Sequence, residues 1–181
     1  MILVTRRYFA VAAAAALTIQ PVAASAQQQC VTEAEVSAIA VYSIPSLVDA
    51  VRTRCVAELA PNSYLSRPNT AIKARYAALQ TRAWPSAKSG LLKVFAGHAA
   101  GAQSGVDLNM VRNLPDNALR PLVDALIVQE VAGKIETAQC GRIERIIELA
   151  APIDPEIAGD VLGAVVGLIN PKEMPVCPRR S

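Results

Sequence analysis

Histidine occurs once in these 181 residues, tryptophan once and phenylalanine twice, and no two cysteines stand two residues apart. A zinc or copper centre collects about four suitable ligands, so His98 has no companions in sequence from which to build one. The missing CxxC spacing removes zinc ribbons, thioredoxin-like dithiols and c-type haem attachment, each of which holds two sulfurs close together. GxSxG, SxxK, HExxH and GxxxxGK[ST] are also absent, and with them the recognisable nucleophile, metal-base and phosphate-cradle arrangements. Strand signals are scarce too: no alternating β-branched run of useful length occurs, and there is no Asn-Gly or Asp-Gly hairpin turn.

What the chain does have begins at its start. Arg6 and Arg7 precede the apolar segment Tyr8 to Ile19, which leads to Ala24-Ser25-Ala26. That order is a secretory signal, with cleavage expected after Ala26. The apolar run is broken at Gln20-Pro21, short of the about 20 residues that a spanning helix needs. Thr5-Arg6-Arg7-Tyr8-Phe9 resembles the twin-arginine export signal, in which paired arginines are followed one residue later by Phe and a mildly hydrophobic core. The resemblance covers only these positions and implies export of a folded chain; an ordinary signal with two adjacent arginines has the same composition.

Removing 26 of the 181 residues leaves 155, a length suited to one domain. Loss of Arg6 and Arg7 lowers the formal charge from +3 to +1. All four cysteines lie beyond the signal, and an even count in an oxidising compartment reads as two disulfides. The expected location is the periplasm or the outside of the cell.

Helical spacing dominates the rest. Thr32 with Glu35 makes a capping box, and Val36, Ala40, Ile44, Leu47, Val51, Cys55 and Leu59 keep one register through Pro45. One kinked helix over about 33–59 follows. A second begins at Asn69 or Thr70, carries Ile72, Tyr76, Leu79 and Ala83, and is expected to divide at Pro85. Gly97 to Gly105 reads as a loop holding His98 on the solvent side. A third helix starts at Pro115-Asp116 with the face Leu119, Leu122, Val123, Leu126, Ile127, Val131 and Ile135, and with Arg120–Asp124 and Glu130–Lys134 as i,i+4 pairs. A fourth spans about 142–151, and a fifth, about 155–169, starts at Asp154-Pro155 and stops at Asn170-Pro171 before a Pro-rich tail. The expected fold is therefore all-α: a disulfide-stapled bundle of about five helices with proline kinks, filling residues 27–181. Alternating helix directions favour pairing Cys55 with Cys140 and Cys30 with Cys177, out of three possible connectivities.

Three features bear on function. Residues 61–106 hold six bases and no acid, whereas 107–160 hold ten acids and five bases. The second helix either faces the acidic helices across the bundle or offers Lys73, Arg75, Arg82, Lys88 and Lys93 to an anionic envelope component or an acidic protein. Nucleic acid is not an expected partner in that compartment, and no cofactor is implied. Gly159, Gly163 and Gly167 form a small-residue stripe opposite Ile157, Val161, Val165 and Leu168, so that helix wants neighbours on both sides and self-association through the glycines is one route. Glu144 and Glu148 share a face, which reads as a solvated, salt-bridged surface. The reading that follows is an exported, non-enzymatic envelope protein that binds a protein or an envelope component. A small apolar-ligand or lipid carrier, with Pro45 and Pro85 splaying helices around a cavity, is the alternative. An enzyme whose site assembles from scattered residues is a third.

Overall fold

The computed structural model describes residues 30–67, 70–101, 108–172 and 174–178. Its helices are, in chain order, α1 (Glu33–Cys55), α2 (Ala71–Gly101), α3 (Leu108–Asn113), α4 (Asp116–Lys134), α5 (Cys140–Ala150) and α6 (Pro155–Ile169), with a 3₁₀ turn at Thr137–Gln139. Among the described residues there is no strand, only one parallel bridge between Val31 and Val176. The expected signal segment 1–26, with the twin-arginine resemblance and the cleavage point, lies outside the described residues.

α1 is the hub, with α2, α6 and α4 packed around it. It starts where the sequence places it: Glu35 N–H donates to Thr32 Oγ1 at 3.1 Å and Thr32 N–H donates back to Glu35 Oε2 at 2.8 Å. Pro45 is buried inside the helix without ending it. α1 is long and apolar enough by composition to cross a membrane, with a mean hydropathy of 1.4 over its best window. Here that composition serves burial, because a helix surrounded by others is apolar on every side. Its end comes at Cys55 rather than near residue 59: Cys55 is tied to Cys140, and Glu58 N–H closes a turn onto the Cys55 carbonyl at 2.9 Å.

Two sequence expectations about α2 need correction. Pro85 lies within a continuous helix instead of dividing it. The proline and Thr81, whose carbonyl loses its helical partner, are both exposed, so water can satisfy that carbonyl. The helix also runs through Gly101, which places the His98 backbone in α2 and not in a loop; residues 102–105 of the expected loop lie outside the described residues. The short α3 had no counterpart in the sequence reading.

The core lies in three patches around α1. Val41, Val48, Val51, Leu65, Ile72 and Tyr76 surround the buried Cys55–Cys140 disulfide. Tyr42, Trp84, Ala87, Leu119 and Val123 fill the junction of α1, α2 and α4, with the Tyr42 and Trp84 rings 4.9 Å apart. Val31, Val36 and Val176 close the remaining end, where Cys30–Cys177 ties the tail back and Cys177 N–H donates to the Val31 carbonyl at 2.9 Å.

α6 is capped at both ends. Asp154 Oδ1 accepts from Glu156 and Ile157 N–H, and Asn170 closes the helix in the left-handed region at φ 45° while its Oδ1 accepts from Val176 N–H. Its glycine stripe is used within the chain: a Cβ at Gly163 would lie 2.7 Å from the Glu33 carbonyl oxygen, and one at Gly159 would lie 2.8 Å from Ser37 Oγ and Val41 Cγ2. The stripe lets α6 approach the α1 backbone and is not available to a second copy, which corrects the self-association expected through Gly159, Gly163 and Gly167.

One buried carboxylate links the packing to pH. Glu35, 9% exposed, accepts from Lys93 Nζ with both oxygens at 2.8 Å and from Ser89 Oγ at 2.6 Å. Burial alone would raise its pKa, but the Lys93 and Ser89 hydrogen bonds and the Thr32 N–H outweigh it and hold the carboxyl below its ordinary value of 4.5. A carboxyl depressed on folding contributes stability that is complete above its unfolded pKa and is lost as pH falls through the folded one. Urea midpoints measured from pH 6 down to 3 are therefore expected to fall more steeply for the wild type than for Glu35→Gln. Equal slopes would show that the Lys93–Glu35 pair contributes no acid sensitivity.

Candidate functional site

The basic residues of α2 turn to partners in their own chain. Lys73 pairs with Asp49 at 2.7 Å, Lys88 with Asp116 at 2.8 Å, Lys93 with Glu35 and Arg82 with Glu156. Arg75 donates to the Ala151 carbonyl at 2.6 Å. Charge sorting along the sequence thus resolves into contacts between α2 and the acids of α1, α4 and α6. The five do not form an open cationic surface: an anion would have to compete with a carboxylate already in place at four of them.

Glu144 and Glu148 separate in the same way. Glu144 Oε1 accepts from Leu65 N–H at 2.9 Å and so fixes the segment between α1 and α2, while Glu148 pairs with Arg145 at 2.8 Å on the surface. The solvated reading therefore holds for Glu148 and not for Glu144. The expected Arg120–Asp124 pair is replaced by two separate contacts. Arg120 lies over the Trp84 ring, 5.1 Å from its centroid, and Asp124 Oδ1 accepts from Ser46 Oγ at 2.9 Å. Burial, and then the nearby Asp124 carboxylate, push the Tyr42 phenol up, so it stays neutral through the physiological range. Glu130 and Lys134 do pair, at 2.6 Å, which holds the Glu130 carboxyl below its usual value. Among the described residues no group of three or more His, Cys, Asp and Glu converges.

Among the described residues, two concave sites flank α1. The smaller, about 270 Å³, lies between α1, α2 and α6 and is crossed by the Arg82–Glu156 pair. The larger is a groove of about 800 Å³ whose floor is α1, through Val36, Ile39, Ala40, Ser43 and Leu47. One wall is α4, with Val123, Leu126, Ile127 and Val131, and the other is α6, with Leu162 and Val166; Leu91 and Phe95 of α2 and Met174 of the tail complete it. Val36, Ala40, Ser43 and Leu47 follow helical spacing, so the floor runs about 16 Å along α1 at 1.5 Å per residue. α4 and α6 both pack on α1 but share no comparable interface with each other, which leaves the space between them open.

Polar groups in this lining are few. Ser43 is on the floor, and Gln129 and Glu130 stand at one rim, where Lys134 balances Glu130. Leu126, at 47% exposed, and Phe95, at 37%, turn apolar surface toward the opening. The sequence carried one signal for this site: α1 is apolar around most of its circumference, and the helices supplied to cover it leave one stripe without a neighbour. No family model, no curated protein and no solved structure matches the chain.

Proposed function

We propose that this is an exported, non-catalytic binding protein of the periplasm or cell envelope, released by cleavage near Ala26, whose groove along α1 takes up an apolar ligand of acyl-chain type. The groove carries the reading. Its volume is that of a small-molecule site, about 300–1,000 Å³, and such sites combine apolar walls with a few placed polar groups. An acyl chain would lie along α1 with its polar end beside Gln129, Glu130 and Lys134. The disulfides support export, since such bonds persist in oxidising compartments. The basic face of α2 is set aside as the binding surface because its charges are already paired.

The test is fluorescence titration with phenylnaphthylamine, a neutral apolar probe, displaced by a long-chain fatty acid. Binding is expected for the wild type, and Leu126→Lys is expected to weaken it by about tenfold or more, because a cation placed on an apolar wall must be desolvated. Val161→Asp, on the outer side of α6, is expected to leave it unchanged. Absence of probe binding would refute the carrier reading. Binding of an amphipathic helical peptide in preference to fatty acid would turn it toward a protein partner.

A further inference from the structure

With its glycines against α1, α6 turns its apolar side outward. Ile157, Val161 and Val165 are exposed, Leu168 is 87% exposed and Ile169 69%, and Leu162 extends the same surface toward the groove. On a helix of 15 residues this is most of the apolar content left in water. We propose that two copies of this chain pair antiparallel through this ridge. The inference rests on α6 alone: Leu162 also lines the groove, but Ile157, Val161, Val165, Leu168 and Ile169 do not.

Three observations select a second copy as the occupant. The first is area: these six residues expose on the order of 600 Å², so two copies would cover about 1,200 Å², the lower edge of stable interfaces. The second is the sign of the surrounding charge. Along α6 and its cap, residues 154–169, there is no Lys or Arg, while Asp154, Glu156 and Asp160 are acidic; Lys172 is the first base beyond. A helix that lies on an anionic bilayer carries Lys and Arg along its polar side, so a lipid surface fits this one poorly. The third is the placement of those acids. Glu156 turns to Arg82 and Asp160 Oδ1 accepts from Ser37 Oγ at 2.9 Å, so the ridge itself carries no charge and two identical ridges meet without repulsion.

The antiparallel order follows from the acid at the foot of α6. Asp154 stands at its N-terminal end only, off the ridge, and unlike Glu156 it has no Lys or Arg partner among the described residues. A parallel pair would bring these acidic ends together, whereas an antiparallel pair sets them about 20 Å apart along the helix, beyond the roughly 8 Å screening length at physiological salt. In that order Val161 of one copy opposes Val165 of the other.

Sedimentation velocity of the signal-free protein over a wide concentration range tests this. The wild type is expected to shift from monomer toward dimer as concentration rises into the range of about 10 to 100 μM, as suits a small interface. Val161→Asp and Val165→Lys are each expected to remain monomeric with unchanged helical circular dichroism, and mixing the two is expected to restore the dimer by opposing Asp to Lys. A wild type that stays monomeric throughout overturns the proposal, as does a dimer unaffected by either variant. A dimer abolished by Leu126→Lys would place the contact in the groove instead. Loss in both variants without rescue on mixing would overturn the antiparallel order, and association only with anionic vesicles would replace the second copy by lipid.

Discussion

Reduction of both disulfides is expected to unfold most of this protein at neutral pH and room temperature. Cys55–Cys140 closes a separation of 85 residues and Cys30–Cys177 one of 147. On the chain-entropy account each withholds about 4.5 to 5 kcal/mol of freedom from the unfolded chain. A domain of this size has only about 5–15 kcal/mol in total, so losing both removes most or all of it. The two bonds differ in what they hold in the native state. Cys55–Cys140 anchors the start of α5, a helix with little packing on the rest of the bundle beyond Ile143, Ile147 and Ala150. Cys30–Cys177 pins the tail whose Val176 covers Val31 and Val36. Denaturant titration with and without reductant measures the total. Hydrogen exchange of the paired variants apportions it: Cys55→Ala with Cys140→Ala should release α5 first, and Cys30→Ala with Cys177→Ala the tail. A reduced protein with an unchanged urea midpoint would show that packing alone suffices.

Trp84→Ala is expected to cost about 3 to 5 kcal/mol, the largest loss from a single site, as for other large-to-small changes at fully buried aromatics. Trp84 is 1% exposed and sits at the junction of α1, α2 and α4, with the Tyr42 ring on one side and the Arg120 guanidinium over its face. Truncation leaves a cavity that three helices would have to close together, and it strands Arg120. The Trp84 indole N–H lies toward the Asp116 carboxylate, which Lys88 already pairs, so Trp84→Phe should lose volume and one weak polar contact and cost clearly less. Ile146→Ala, at an exposed position of α5 outside the groove and the α6 ridge, serves as the control and is expected to change stability by less than about 0.5 kcal/mol. Urea midpoints of the three variants are the measurement; a Trp84→Ala loss of under about 1 kcal/mol would mean that α4 swings in to fill the space.

Much of the helical order is local and could be read residue by residue. The Thr32–Glu35 box starts α1, Asp154-Pro155 starts α6 and Asn170 ends it, because each signal is a hydrogen bond or a fixed backbone angle within a few residues. The cysteine pairing was only a preference from sequence: α1 separates Cys30 from Cys55, but choosing Cys140 for one and Cys177 for the other needed alternating helix directions, a tertiary relation that the structure supplies. Pro85 misled because its effect depends on exposure, which periodicity does not report.

The sites were decided elsewhere. Lys73, Arg82, Lys88 and Lys93 look like an open cationic face along one helix, and become internal pairs only when Asp49, Glu156, Asp116 and Glu35 arrive from three other helices. The groove exists because α4 and α6 both pack on α1 without a comparable interface between them, a relation no sequence spacing encodes. Likewise, the glycines of α6 and its outer ridge are equally plain in the sequence, but which side faces inward was fixed by the Glu33 and Ser37 backbone that only a glycine can approach. By itself the sequence determined an all-helical chain and the starts of α1, α4 and α6, because those rest on neighbours along the chain. Which charges are spent, which apolar face is covered and where a ligand could enter were decided by tertiary structure, because burial and pairing depend on residues brought together from distant positions.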